Sequence, residues 1–107
     1  MRREYNLAVT INGRLLRRVL IDPHYEAKHR ESVDDAVILD LVRDLDARVF
    51  LPEDRDPDGF EYYVRDPAYR EGKPFRIVWV LHPDQDFIGV VNCFRRSRGQ
   101  VSKRKKY

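Results

Sequence analysis

The sequence predicts an α+β fold, with an N-terminal β-hairpin, one main amphipathic helix packed on an antiparallel sheet of three further strands, and a basic C-terminal tail. Three observations predict it. A turn-forming Asn12-Gly13 pair separates two strand-like runs. Apolar residues recur at helical spacing between residues 33 and 48, and three apolar segments rich in β-branched and aromatic residues follow residue 59. This order of elements favours a helix that covers one face of a sheet.

The N-terminal hairpin is predicted from the turn. Asn-Gly is a favoured pair for a two-residue type I′ turn, because both positions need positive φ. This turn sets a register in which Val9 opposes Leu16 and Tyr5 opposes Leu20. The predicted strands are Tyr5–Ile11 and Arg14–Ile21.

The main helix is predicted at residues 33–48. Ser32, followed three residues later by Asp35, resembles a capping box at the helix start. The apolar side chains fall within about 180° of one another on a helical wheel. They are Val33, Val37, Ile38, Leu41, Val42 and Leu45. The acidic residues of this segment mostly lie outside the apolar stripe, so we interpret them as a solvated face of the helix. They are Asp34, Asp40, Asp44 and Asp46.

Three more strands are predicted after the loop at residues 51–59, which contains two prolines and a glycine. They are residues 60–65, 75–81 and 87–95. The run Ile77–Leu81 is apolar on both faces, which predicts the central strand of an antiparallel meander. Residues 66–74 hold Pro67, Gly72 and Pro74, and this composition predicts a polar loop.

The charges are segregated along the chain. A length of 107 residues suits one hydrophobic core, so we expect one domain at residues 1–96 and a basic, flexible tail at residues 97–107. The formal charge of +3 comes from +4 in residues 1–30, −8 in residues 31–94 and +7 in residues 95–107. A polyanion such as RNA would therefore meet two basic termini and be repelled by the acidic middle.

The sequence also predicts the compartment. No run approaches the roughly 20 apolar residues that span a bilayer, and the N-terminus lacks a signal-peptide core, so we expect a cytoplasmic protein without membrane association. The single cysteine, Cys93, cannot form an internal disulfide, which fits a reducing compartment. We interpret it as a small buried strand residue. The sequence leaves the oligomeric state open.

Common catalytic and cofactor motifs do not occur in the sequence. It has no glycine-rich phosphate loop, no Cys-x-x-Cys pair and no His-Glu-x-x-His, so we expect no cofactor and no metal. The alternating Asp54, Asp56 and Asp58 would begin a calcium loop, but its twelfth position holds Arg65 instead of glutamate.

His24 and His29 are the candidate general bases, because they lie in a connector dense in polar side chains, residues 24–30. An imidazole with a pKa near 6.5 can accept or donate a proton at neutral pH. Two alternatives stay open. Each histidine can simply hydrogen-bond across the helix entrance, or the pair can bind a metal with His82 as the only evident third ligand.

Arginines at strand positions are the candidate anion-binding groups. Arg76 and Arg95 can stabilise charge that develops on a phosphate during its transfer. Further cations and an aromatic ring can contact RNA by charge and by stacking. These candidates are Tyr63, Arg65, Arg96, Arg98, Lys103, Arg104, Lys105 and Lys106. In the alternative interpretation Tyr63 belongs to the core and the tail is a solubilising end.

The last two predicted strands resemble those of small ribonuclease toxins of the RelE and BrnT type. The apolar strand that ends in arginine, Ile88–Arg96, carries the resemblance. Phe75–Val80, preceded by Gly72-Lys73, is similar to the strand that often holds an arginine beside the RNA groove of these toxins. The resemblance covers residues 24–96. The N-terminal hairpin and the acidic middle segment depart from the family pattern.

The resemblance implies the toxin of a toxin–antitoxin pair, a metal-independent endoribonuclease. In this hypothesis His24 or His29 deprotonates the ribose 2′-hydroxyl, and Arg76 and Arg95 stabilise the phosphorane-like transition state. The products would carry a 2′,3′-cyclic phosphate, and an antitoxin protein would be the partner. The alternative is a non-catalytic RNA-binding or protein-interaction module, in which the tail supplies non-specific affinity.

Overall fold

A computed structural model describes residues 2–97, and a six-stranded mixed sheet dominates it. The strand order across the sheet is β1-β2-β6-β5-β4-β3. The strands are β1 Arg3–Ile11, β2 Arg14–Ile21, β3 Asp54–Arg55, β4 Glu61–Arg70, β5 Lys73–Leu81 and β6 Phe87–Arg95. The helices are short: a 3₁₀ turn Pro23–Tyr25, α1 Glu26–His29 and α2 Asp35–Arg43.

The N-terminal hairpin is confirmed, with one change of register. Asn12 and Gly13 have φ values of 54° and 75°, as a type I′ turn requires. Val9 opposes Leu16, as predicted. Tyr5 opposes Val19 rather than Leu20, because the pairing shifts by one residue between Asn6 and Val9.

The predicted sheet of three further strands is wrong, because the hairpin is part of a larger sheet. Strand β2 pairs in parallel with β6, with Val19 beside Ile88 and Ile21 beside Val90. The sheet is therefore mixed rather than an antiparallel meander. No local pattern reveals such a pairing, since parallel strands are joined by long crossover connections. The only hint is the uninterrupted apolar run Val19–Ile21, which is typical of an interior strand.

The predicted single main helix is also wrong, since α2 is much shorter than residues 33–48. Asp34, rather than Ser32, caps it by accepting a hydrogen bond from the Val37 amide at 2.9 Å. The helix ends at Arg43, and Ala47 then adopts a φ of +63°. The Ala47 amide donates to the Thr10 carbonyl at 2.8 Å, so the chain leaves the helix to lie beside β1.

Strand β4 extends through the segment that was predicted as a loop. It continues to Arg70 and turns into β5 through Glu71 and Gly72, whose φ values are 53° and 75°. Pro67 is tolerated inside β4 because the outer neighbour, β3, pairs only with Glu61 and Tyr62.

The hydrophobic core lies between α2 and one face of the sheet. Trp79 and Ile77 on β5 and Ile38 on α2 are fully buried, and the Tyr63 ring stacks on Trp79 with centroids 5.5 Å apart. Residues that alternate with the core positions lie on the opposite face, which we call the open face. They include Tyr62, Val64, Arg76, Val78, Phe87, Gly89 and Phe94, all of them partly exposed. Neither helix among residues 2–97 has the length and apolar character needed to cross a membrane.

Candidate functional site

A cluster of an imidazole, two guanidinium groups and one carboxylate surrounds Phe94 near the C-terminal end of β6. We call it the Phe94 cluster: His29, Asp66, Arg76, Phe94 and Arg96. The His29 ring stacks on the Phe94 ring with centroids 5.0 Å apart and planes inclined by 29°. The guanidinium carbon of Arg96 lies 5.9 Å from the centroid of the Phe94 ring. Phe94 therefore contacts both an imidazole and a guanidinium group.

Asp66 connects the two arginines of the cluster. Its Oδ2 accepts a hydrogen bond from Arg76 Nη1 at 3.3 Å, and its Oδ1 lies 3.6 Å from Arg96 Nε. The side chain of Asp66 is 2% exposed, whereas those of Arg96 and Arg76 are 15% and 32% exposed. The buried carboxylate thus holds both guanidinium groups in position and leaves the three side chains with a formal charge of +1.

The sheet topology brings these residues together. Where β2 ends, the Asp22 amide donates to the Val90 carbonyl at 3.0 Å, so the 3₁₀ turn and α1 run beside the second half of β6. This path places His29 next to Phe94. Arg76 lies directly across the ladder from Phe94, on the neighbouring strand β5. The pairing of β2 with β6 therefore brings His29 to the side chains that β4, β5 and β6 position.

A polar network around Asp35 fixes α1 and the 3₁₀ turn to the sheet. The Asp35 carboxylate accepts hydrogen bonds from Arg3 Nε at 2.6 Å, Tyr5 OH at 2.5 Å and Tyr25 OH at 2.8 Å. Arg3 also pairs with Glu26. The Arg3 guanidinium and the two phenols lower the pKa of Asp35 to about 2. Burial and the bond to Asp35 raise the pKa of Tyr25. The network links β1, the 3₁₀ turn and α2.

The structure separates the two arginines that were predicted to act together. Arg76 pairs with Phe94 and Arg95 pairs with Phe75, so Arg76 and Arg95 lie on opposite faces of the sheet. Arg95 is exposed on the face that carries the core. Arg96, rather than Arg95, lies next to Arg76 through Asp66.

The two candidate histidines differ in their surroundings. His24 is exposed, and its backbone amide donates to Asp22 Oδ1. His29 is half-buried against Phe94. The structure therefore brings His29, but not His24, into contact with the Phe94 cluster.

The His82 ring is hydrogen-bonded within the loop between β5 and β6 and to the preceding loop between β3 and β4. Its Nδ1 accepts the Asp84 amide at 3.1 Å, which leaves Nε2 protonated to donate to the Asp58 carbonyl at 2.9 Å. Among residues 2–97, no three histidine, cysteine or acidic side chains lie close enough to hold a metal ion.

The remaining candidates lie away from this cluster or outside residues 2–97. Tyr63 is 2% exposed and stacks on Trp79, as the core interpretation expects, and Arg65 pairs with Asp44 on α2 at 2.8 Å. The tail cations fall outside the described residues: Arg98, Lys103, Arg104, Lys105 and Lys106.

Sequence reasoning missed Asp66, because residues 66–74 were interpreted as a loop. The pattern that could have found it is the alternation of Tyr62, Val64 and Asp66, which puts all three on one face of a longer strand.

The Phe94 cluster has the chemical groups that bind a phosphodiester beside an unpaired base. Guanidinium groups recognise phosphate oxygens, aromatic rings stack on bases, and an imidazole can accept a proton from a hydroxyl group. Comparisons of the chain found no matching protein family, no matching curated protein and no matching solved structure.

Proposed function

We propose that this protein is a metal-independent endoribonuclease that binds single-stranded RNA on the open face and cleaves it at the Phe94 cluster. One observation carries the proposal. His29, Arg76 and Arg96 come from three separate parts of the chain: His29 and Arg96 lie against the Phe94 ring, and Arg76 lies across the ladder from Phe94. A base, an aromatic platform and two phosphate-binding groups are the parts that RNA cleavage by the 2′-hydroxyl requires.

Each side chain has a distinct role in the proposed reaction. A base of the RNA stacks at Phe94 and orients its ribose toward α1. His29 removes the proton of the 2′-hydroxyl, whose oxygen attacks the adjacent phosphorus and expels the 5′-oxygen of the next nucleotide, which takes a proton from water. Arg76 and Arg96 stabilise the negative charge that develops on the phosphoryl oxygens. The products are a 2′,3′-cyclic phosphate and a 5′-hydroxyl.

A second candidate function is a non-catalytic RNA-binding module. Asp66 favours it, because this carboxylate already neutralises part of the charge of Arg76 and Arg96. In such a module the arginines would position RNA, and His29 would serve as a second stacking ring beside Phe94. The two functions share one surface and differ in the role of His29.

A protein partner belongs to the same proposal. If the protein is the toxin of a toxin–antitoxin pair, its antitoxin would inhibit it by covering the open face, where Arg76, Val78 and Phe94 are partly exposed. Toxicity on expression of the chain alone, relieved by a co-expressed partner, is the observation that would support this role.

The arginine assignment is tested with a matched pair of variants. Arg76→Gln removes a guanidinium from the Phe94 cluster, and Arg95→Gln removes one from the neighbouring residue of the same ladder on the opposite face. We expect Arg76→Gln to slow RNA cleavage in EDTA by about 100-fold, whereas Arg95→Gln has little effect. Equal losses in both variants would contradict the assignment. Circular dichroism confirms that both variants fold.

RNA binding separates the two candidate functions. Binding of a short single-stranded RNA is measured at several salt concentrations for the wild type and for both variants. If the intact protein binds RNA but does not cleave it, and Arg76→Gln alone weakens binding, the module is the correct function. RNA binding that neither variant changes contradicts both candidates.

A further inference from the structure

A cavity of about 330 Å³ lies on the open face of the sheet, at the end of β5 and β6 opposite the Phe94 cluster. Its apolar lining includes Val80, Gly89 and the aromatic residues Phe60, Tyr62 and Phe87. Gly89 has no side chain to fill the cavity, and the atoms around it on the cavity floor are closely packed. A Cβ built at this position would lie 2.9 Å from Val80 Cγ2 and 3.6 Å from Phe87 Cε1.

The cavity is negatively charged. Asp22, Asp56 and Asp58 line it, against one cation, Arg2. Two of the carboxylates are held by backbone amides: Asp22 accepts from His24 at 2.9 Å, and Asp56 Oδ1 accepts from Asp58 and Phe60 at 3.0 Å. Their positions are therefore set before any ligand arrives, which lowers the cost of ordering the site. A phosphate group would be repelled by this arrangement and a cation attracted to it.

The aromatic lining fits a cation as well. The Arg18 guanidinium, which pairs with Asp86 and Glu4, lies with its carbon 5.7 Å from the centroid of the Phe87 ring. The Phe60 and Tyr62 rings are therefore the aromatic walls that face the ammonium. Phe60 is fixed edge-on against His82, with centroids 4.8 Å apart. Carboxylates combined with aromatic walls are the groups that bind organic ammonium ions in water.

We propose that this cavity binds an alkylammonium group, either of a free aliphatic amine or of a lysine side chain on a partner protein. The apolar surface at Val80 and Gly89 takes the hydrocarbon chain, and the combined field of Asp22, Asp56 and Asp58 attracts the ammonium, without direct contact to all three carboxylates. At roughly 30 Å³ per water-sized group, the volume holds about ten such groups, enough for a chain of five carbons and its ammonium. This site does not depend on the proposed RNA chemistry.

The probe is n-pentylammonium chloride, with 1-pentanol as its neutral counterpart. Binding to the full chain is followed by the amide chemical shifts of Gly89 and Phe60 in two-dimensional NMR. We expect saturable shifts with pentylammonium and at least ten-fold weaker binding of pentanol. Equal binding of the two probes, or shifts that never saturate, would overturn the proposal.

Three variants test the charges. Within residues 2–97 Asp58 makes its hydrogen bonds through its backbone amide and carbonyl, to Asp56 and His82. Asp58→Asn therefore removes charge without disturbing the loop and should weaken pentylammonium binding at least three-fold. Arg2→Gln removes the competing cation and should strengthen binding. Asp84→Asn, an exposed acid that does not line the cavity, is the matched control and should leave binding unchanged. Equal effects of Asp58→Asn and Asp84→Asn would contradict the proposal.

The same assay distinguishes the two sources of the ligand. A capped peptide with one central lysine is compared with pentylammonium and with the same peptide carrying norleucine. Binding of the lysine peptide at least ten-fold tighter than that of pentylammonium assigns the site to a partner protein. Equal or weaker binding of the peptide assigns it to a free amine. Binding of the norleucine peptide as tight as that of the lysine peptide would refute a role for the ammonium.

Discussion

Replacing Asp35 by asparagine should destabilise the protein in a pH-dependent manner. The carboxylate of Asp35 is 17% exposed and accepts hydrogen bonds from Arg3, Tyr5 and Tyr25. These donors lower its pKa from 3.8 to about 2. At about 1.4 kcal/mol per pKa unit, the ionised carboxylate stabilises the folded state by about 2 kcal/mol at neutral pH.

The direction of the pH dependence follows from the lowered pKa. The stabilisation is complete above the pKa of the unfolded chain, near 4, and is lost as the pH falls through the folded value of about 2. Asp35→Asn resembles the protonated acid. Its free energy of unfolding should therefore be about 2 kcal/mol lower than that of the wild type at pH 7, and the difference should shrink below about 0.5 kcal/mol at pH 2.

Urea denaturation at pH 7 and at pH 2 measures the difference in the free energy of unfolding between the wild type and Asp35→Asn. It is followed by the fluorescence of Trp79, the single tryptophan, which is buried. Subtracting the variant from the wild type removes the titration of the other acids. Asp84→Asn, which changes an exposed acid, should show no such pH-dependent difference. If the difference in the free energy of unfolding between Asp35→Asn and the wild type stays constant from pH 7 to pH 2, the role assigned to the Asp35 carboxylate is refuted.

Three further predictions concern single positions. Gly89→Ala should lower the free energy of unfolding in urea by about 1–3 kcal/mol, because its Cβ would lie 2.9 Å from Val80 Cγ2. Gly72→Ala should lower the free energy of unfolding by less, about 1 kcal/mol in the same assay. A Cβ at this position would meet no atom within 4 Å, so the only unfavourable contribution is the φ of +75°. A larger loss at Gly72 than at Gly89 would contradict this order. Burial raises the pKa of the Cys93 thiol to about 12. A thiol reagent should therefore modify Cys93 only when the protein unfolds. Rapid modification of the folded protein would refute the burial of Cys93.

Some features of the fold that depend on neighbouring residues could be predicted from the sequence. The turn at Asn12-Gly13 needs only two residues, and the pairing of Val9 with Leu16 follows from it. The strand at Ile77–Leu81 was recognised from its unbroken apolar run. The length of α2 was not predictable from periodicity alone, because the chain after Arg43 continues in helical spacing but pairs with β1 instead.

The features that depend on distant residues could not be predicted. The parallel pairing of β2 with β6 joins segments more than sixty residues apart, and it has no local sequence pattern. This pairing brings His29 to Phe94 and distinguishes it from His24. The strand register decides that Arg76 faces Arg96 rather than Arg95, and a shift of one residue would reverse this. Sequence reasoning therefore named His29, Arg76 and Arg96 as candidates but could not select them as a group.

The most direct test of the proposed function is RNA cleavage by the full chain in EDTA, with His29→Ala compared with His24→Ala. Both variants are purified in parallel with the wild type, and the products are examined for a 2′,3′-cyclic phosphate. We expect His29→Ala to reduce the rate of cleavage by at least about 100-fold, because the general base is lost, whereas His24→Ala retains it. Cleavage by His29→Ala at the wild-type rate, or the absence of cleavage by the wild type, would contradict the proposed ribonuclease site.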